Sequence, residues 1–160
     1  MKRKWVCLIL LLLATLIVSC SALEDDATTS NKTYNMGDWM EVGDYDVMVH
    51  DMVTEDVVDG KYYVMLDVEY ANNRSDEELS CRENQWILFD TDNYTYEVKT
   101  ARYIYEDYGL TYMGSERFLT KGSHLRGWLA FELPQTAKIN RIQFFNAFLG
   151  TKTGEILIAE

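Results

Sequence analysis

The 160-residue chain has little of several things: one proline, three cysteines, two histidines, and fifteen basic residues against twenty-six acidic ones. A single proline, Pro134, excludes a proline-rich linker or docking segment. Three cysteines are too few, and odd in number, for a disulfide framework. Two histidines, His50 and His124, fall short of the three protein ligands a catalytic zinc takes, and no His-x-x-x-His pair exists. A net charge of −11 disfavours nucleic acid as a partner, because phosphates need Lys and Arg opposite them. No Gly-x-Ser-x-Gly elbow is present, which removes the commonest serine-hydrolase signature. Beyond residue 18 no apolar run approaches the roughly 20 residues that span a bilayer.

What is present starts at the first residue. Lys2, Arg3 and Lys4 precede an apolar run over 5–18, followed by Ser19-Cys20. A basic start, a short apolar core and a small residue before a cleavage point are the parts of a secretory signal. Ile17-Val18-Ser19-Cys20 resembles the lipobox of bacterial lipoproteins. The resemblance implies cleavage before Cys20 and a diacylglyceryl thioether on its sulfur, with membrane attachment through the lipid. Each buried CH₂ contributes about 0.8 kcal/mol, and two acyl chains hold where one is marginal. Cleavage leaves 141 of the 160 residues and moves the net charge from −11 to −14, since the leader holds three basic residues and no acid. Cys7 leaves with the leader. Cys81 then stands alone, and an inert buried thiol is favoured over a reactive one.

Residues 20–35 are small, polar and acidic, and read as a flexible tether. From 36 to 160 short apolar runs alternate with Gly, Asn and Asp. Strands are expected at 39–42, 45–54, 62–70, 86–89, 94–100, 127–134, 139–148 and around Ile156 and Ile158. Asp59-Gly60 is the strongest hairpin cue. Val64, Leu66, Val68 and Tyr70 share one face of a period-two strand. The 139–148 segment could also be read as a helical face, but its β-branched and aromatic residues favour a strand. Residues 101–120 read as a long excursion with room for one helical turn. The expectation is an all-β, Ig-like antiparallel β-sandwich of seven to eight strands, after a signal peptide (1–19) and a tether (20–35).

Several blocks are similar to a known family. They are Gly37-Asp38-Trp39-Met40-Glu41-Val42-Gly43-Asp44-Tyr45-Asp46-Val47, the strand and acidic loop over 63–78, the turn at 87–92, and the Lys-Gly…Gly-Trp-Leu-x-Phe-x-Leu-Pro block over 121–134. Together they resemble the Ig-like domains of unknown function found in exported Gram-positive proteins and lipoproteins. That family is related in fold to a mycobacterial secreted immunoprotective antigen. The resemblance implies a sandwich outside the membrane and carries over no catalytic residue and no cofactor.

Candidate chemistry is sparse. Asp90 and Asp92 have the spacing that opens a Ca²⁺ loop, but Thr95 stands where an EF-hand needs Gly, so an Asx-rich turn explains them better. His50-Asp51 is the nearest approach to a catalytic pair. Tyr103, Tyr105, Tyr108 and Tyr112 are the best candidates for recognition, since aromatic rings with polar tips suit interfaces. The balance favours a non-catalytic binding domain at the outer membrane face, with an envelope protein or glycan as ligand. The alternative is a metal-dependent or hydrolytic enzyme on the same sandwich.

Overall fold

The computed structural model describes residues 32–57, 59–100, 102–146 and 152–158. The leader, Cys20 and most of the tether lie outside the described residues. Among the described residues eleven strands, one short α-helix and a single 3-10 turn follow in order: β1 (Lys32–Tyr34), β2 (Met40–Val42), β3 (Tyr45–Val57), β4 (Lys61–Ala71), β5 (Leu79–Arg82), the 3-10 turn (Glu83–Gln85), β6 (Trp86–Asp90), β7 (Thr95–Glu97), α1 (Arg102–Asp107), β8 (Glu116–Leu119), β9 (His124–Pro134), β10 (Ile139–Phe145) and β11 (Thr153–Leu157). One sheet has the order β1-β11-β10-β6-β7, a second β2-β3-β4-β9, and β5 pairs with β8 alone. The expected all-β sandwich forms. Its eight expected strands correspond to β2, β3, β4, β6, β7, β9, β10 and β11, while β1, β5 and β8 are additional.

The long hairpin β3–β4 is set by its turn. Asp59 and Gly60 both take positive φ, 78° and 74°, the pair of left-handed residues that a type I′ turn requires. A register shift between Val49 and Asp51 then places His50 at a bulge. Two further departures from the sequence reading concern boundaries. Lys32–Tyr34, within the stretch read as tether, pairs parallel with β11, Lys32 opposite Gly154. The strand expected at 94–100 keeps ladder pairing only over Thr95–Glu97, because Val98 leaves to bridge Phe131 of the other sheet.

The two inner faces meet in one core. Val64, Leu66, Val68 and Tyr70 of β4 are fully buried against Trp86 and Leu88 of β6 and Ile142 and Phe144 of β10. Period-two alternation therefore delivers its apolar face inward, as a half-buried strand must. At one end of this core four rings interlock: Trp86 and Tyr70 lie 5.0 Å and 5.7 Å from Phe144, and Tyr45 lies 5.6 Å from it. Their polar tips are satisfied. Trp86 Nε1–H donates to the Tyr70 hydroxyl at 2.8 Å, and that hydroxyl lies 3.0 Å from the Arg82 carbonyl and 3.2 Å from Gln85 Oε1. Tyr45 donates to the Ser80 carbonyl at 2.9 Å. Cys81 is buried among these residues, free, and burial pushes its thiol up to about 12, which keeps it protonated and unreactive.

Candidate functional site

The outer face of the β2-β3-β4-β9 sheet carries the side chains that the core does not use. Two regions share it. Toward Lys61 and Pro134 the chain between β7 and β8 folds back over the sheet. Toward Ala71 and His124 a polar cluster covers it.

The fold-back makes a second, small core. Tyr63 and Met65 of β4 and Ala130 of β9 pack against Ile104 and Tyr105 of α1. Tyr105, a candidate for recognition from sequence, is only 2% exposed. Its hydroxyl donates to the Lys99 carbonyl at 2.9 Å and accepts the Ala130 N–H at 3.0 Å. It is thereby corrected from a ligand contact to a clasp on a strand edge. Burial pushes the phenol up to about 12, so it stays a donor. Open edge strands invite unwanted pairing. Here β9 is further closed by Lys99 N–H on the Ala130 carbonyl, and by Trp128 N–H on the Thr111 carbonyl. Tyr105→Phe should lower stability by about 1–3 kcal/mol, since it leaves the buried Ala130 N–H without a partner. Urea unfolding measures the loss.

The other three tyrosines of that stretch have different fates. Tyr103 is 59% exposed and Tyr108 is 37% exposed. Tyr63, beneath them, has its hydroxyl raised to about 12 by burial and then by its hydrogen bond to Tyr103. Glu132 lies alongside, with Lys61 Nζ at 2.8 Å and Lys99 Nζ at 4.0 Å. The Lys61 hydrogen bond holds its carboxyl below the usual 4.5 despite some burial, with a contribution from Tyr63. Tyr103, Tyr108, Lys61, Lys99 and Glu132 thus form one patch. Tyr112 is half-buried, its ring 4.5 Å from that of Tyr105 and its hydroxyl donating to Glu83. Burial raises the Glu83 carboxyl above 4.5.

The polar cluster joins both histidines. His50 Nε2 lies 2.6 Å from one oxygen of Glu69, and His124 Nδ1 lies 2.7 Å from the other. Burial pushes the Glu69 carboxyl up, but the hydrogen bonds from His124 and His50 outweigh it and hold it below 4.5. Asp67, two residues before, takes Arg126 in a fork, Nε at 3.0 Å from Oδ1 and Nη2 at 2.5 Å from Oδ2. Trp39 sits edge-on to His124 with ring centroids 6.1 Å apart. Sequence spacing suggested a His50-Asp51 pair. The structure instead turns Asp51 to the Met52 N–H at 2.8 Å and gives His50 to Glu69. The sequence offers no signal for this trio, which three strands assemble across a bulge.

Asp90 is buried and saturated. Oδ1 accepts the N–H groups of Asp92 and Tyr94, each at 2.9 Å, and Oδ2 accepts the Tyr96 hydroxyl at 2.7 Å. This is the Asx turn, with Asp92 exposed at its tip. Among the described residues no group of three or more His, Cys, Asp or Glu is placed to hold a metal ion. Nor is any described helix long and apolar enough to cross a membrane.

Residues 34–155 match a family model described as Domain of unknown function (DUF4352). The chain belongs to that family. The DUF4352 domain here is similar in fold to the yjhA protein from Bacillus subtilis, at 12% identity and a TM-score of 0.57, over 79% of this chain and 99% of that one. It is also similar to MPT63, a secreted protein from Mycobacterium tuberculosis, at 11% identity and a TM-score of 0.56, over 80% of this chain and 99% of that one. An uncharacterized β-sandwich protein from Clostridium difficile gives 10% identity and a TM-score of 0.52, over 82% and 96%. No curated protein matches this DUF4352 chain in sequence. At these identities the neighbours speak for the sandwich alone.

Proposed function

We propose that this DUF4352 chain is a lipoprotein held by Cys20 on the outer face of a membrane, and that its sandwich is a non-catalytic binding domain. The patch at Tyr103 and Tyr108 is its contact surface. One observation carries the reading: exposed Tyr103 and Tyr108 flank the small core built on Ile104 and Tyr105, at the end of the sandwich opposite Lys32. The chain enters at Lys32, opposite Gly154. Gly154 lies against Val42, Val42 pairs with Tyr45, and the next pair on is Asp46 with Ala71. The patch sits at the other end of β4, where Tyr63 pairs with Glu132. Eight residues separate Ala71 from Tyr63, about 26 Å at the rise of a strand. Twelve residues from Cys20 to Lys32 reach at most about 40 Å, so the domain stays near the bilayer while the patch looks outward.

Two further observations support the reading. The leader resembles a lipobox signal, and one structural neighbour is described as secreted.

The test is photo-crosslinking in intact cells, with a photoreactive residue at position 103 and a control at exposed position 33. Adducts to an envelope component from 103 and none from 33 are expected. No adduct at 103, or equal adducts at both, overturns the reading.

A further inference from the structure

We infer that the Tyr103–Tyr108 patch recognises an uncharged, hydroxyl-rich glycan. The inference rests on the binding reading above and names the ligand class for the same surface.

The excursion that carries the patch packs mostly outside the main core. Among the described residues between β7 and β8, Val98, Tyr112 and Met113 join the main core. Ile104 and Tyr105 build instead a separate small core on Tyr63, Met65 and Ala130. Long connections with their own packing usually serve recognition. This one carries two exposed phenol rings, Tyr103 and Tyr108, and the Tyr63 hydroxyl is hydrogen-bonded to Tyr103. A tyrosine side chain has two χ angles and gives a large contact area at low conformational-entropy cost.

The chemistry around the rings selects the class. Glu132 offers carboxylate oxygens, and Lys61 and Lys99 offer ammonium donors, at 2.8 Å and 4.0 Å from that carboxylate. Acceptors and donors side by side match neighbouring hydroxyls, which both give and take hydrogen bonds. The phenol faces match the C–H faces of a pyranose ring. Lys61 and Lys99 against Glu132 leave one positive charge, which Asp59 beside Lys61 offsets, while the chain as a whole carries −11, so a polyanion is repelled at long range. A peptide added as an extra strand is excluded by the edge itself. Lys99, Thr111 and the Tyr105 hydroxyl occupy the β9 edge at Trp128 and Ala130, and Pro134 ends it without an N–H.

The experiment is an NMR titration of the folded domain with three tetrasaccharides: β-linked N-acetylglucosamine, β-linked glucose and α-linked glucose. Wild type is expected to bind at least one in the millimolar range or tighter, with shifts centred on 61–63, 99, 103–108 and 132. Tyr103→Ala and Tyr108→Ala should each weaken binding by roughly tenfold, a loss of about 1.4 kcal/mol. Tyr103→Phe should retain most of the affinity, since the ring face remains. His124→Ala, at the other end of the sheet, should bind as wild type. Both tyrosines are exposed, so the fold survives their removal, and an unchanged melting temperature verifies it. The inference is overturned if none of the three sugars shifts these residues, or if the tyrosine variants bind as wild type. Crosslinking from position 103 to a protein, with no sugar binding, removes the glycan and leaves the binding reading standing. Failure of both experiments removes both.

Discussion

Trp86→Ala is expected to cost about 3–5 kcal/mol, the range for removing a large buried aromatic side chain. Trp86 is fully buried between the two sheets, on β6, and its ring touches those of Tyr70 and Phe144. Truncation leaves a void bounded by β4, β6 and β10, which are tied by ladder pairing and have little room to collapse. It also strips the Tyr70 hydroxyl of its indole donor, although the Arg82 carbonyl and Gln85 remain within reach. Tyr70→Phe separates the two contributions. It keeps the ring and loses the hydroxyl, leaving Trp86 Nε1–H buried without an acceptor, and should cost about 1–3 kcal/mol. Chemical unfolding followed by tryptophan fluorescence reads both. A loss near zero for Trp86→Ala contradicts the packing described.

Glu69→Gln is expected to lower stability by about 1–2 kcal/mol at pH 7, toward the low end for hydrogen bonds to a charged acceptor. The discount has a cause: the His124 side chain is half exposed, and solvent screens that side of the trio. The pH dependence follows from the direction of the shift. The Glu69 carboxyl is held below its ordinary 4.5 in the folded protein. Its contribution is therefore complete above 4.5 and is lost as pH falls through the folded value. The difference between wild type and variant should shrink as pH falls below 4.5. Glu83 has the opposite sign. Burial raises its carboxyl, so its ionisation costs stability as pH rises, and Glu83→Gln should leave stability at pH 7 unchanged or higher.

The histidine trio also explains how far the sequence was legible. The sandwich could be read because its core strands repeat every second residue: Val64, Leu66, Val68 and Tyr70 all point inward. The Asp59-Gly60 turn could be read because only such residues take two successive positive φ angles readily. Lys32–Tyr34 could not, because three residues with no alternation form a strand only when Thr153–Leu157, far along the chain, offers an edge. Leu79–Arg82 and Glu116–Leu119 were hidden for the same reason. Site residues suffered more. Glu69 meets His50 across 19 positions and His124 across 55, and the bulge at His50 breaks any spacing rule. Among the tyrosines, composition alone could not tell Tyr105 from Tyr103. The short turn of α1 points one at Ala130 and the other at solvent.

The proposed lipid anchor at Cys20 is the claim on which the orientation of the Tyr103–Tyr108 patch depends. Intact mass spectrometry of the native protein extracted from membranes tests this directly. The account predicts a chain that begins at Cys20 and carries the added mass of a diacylglyceryl group. A chain that still carries residues 1–19, or a free thiol at Cys20, contradicts it.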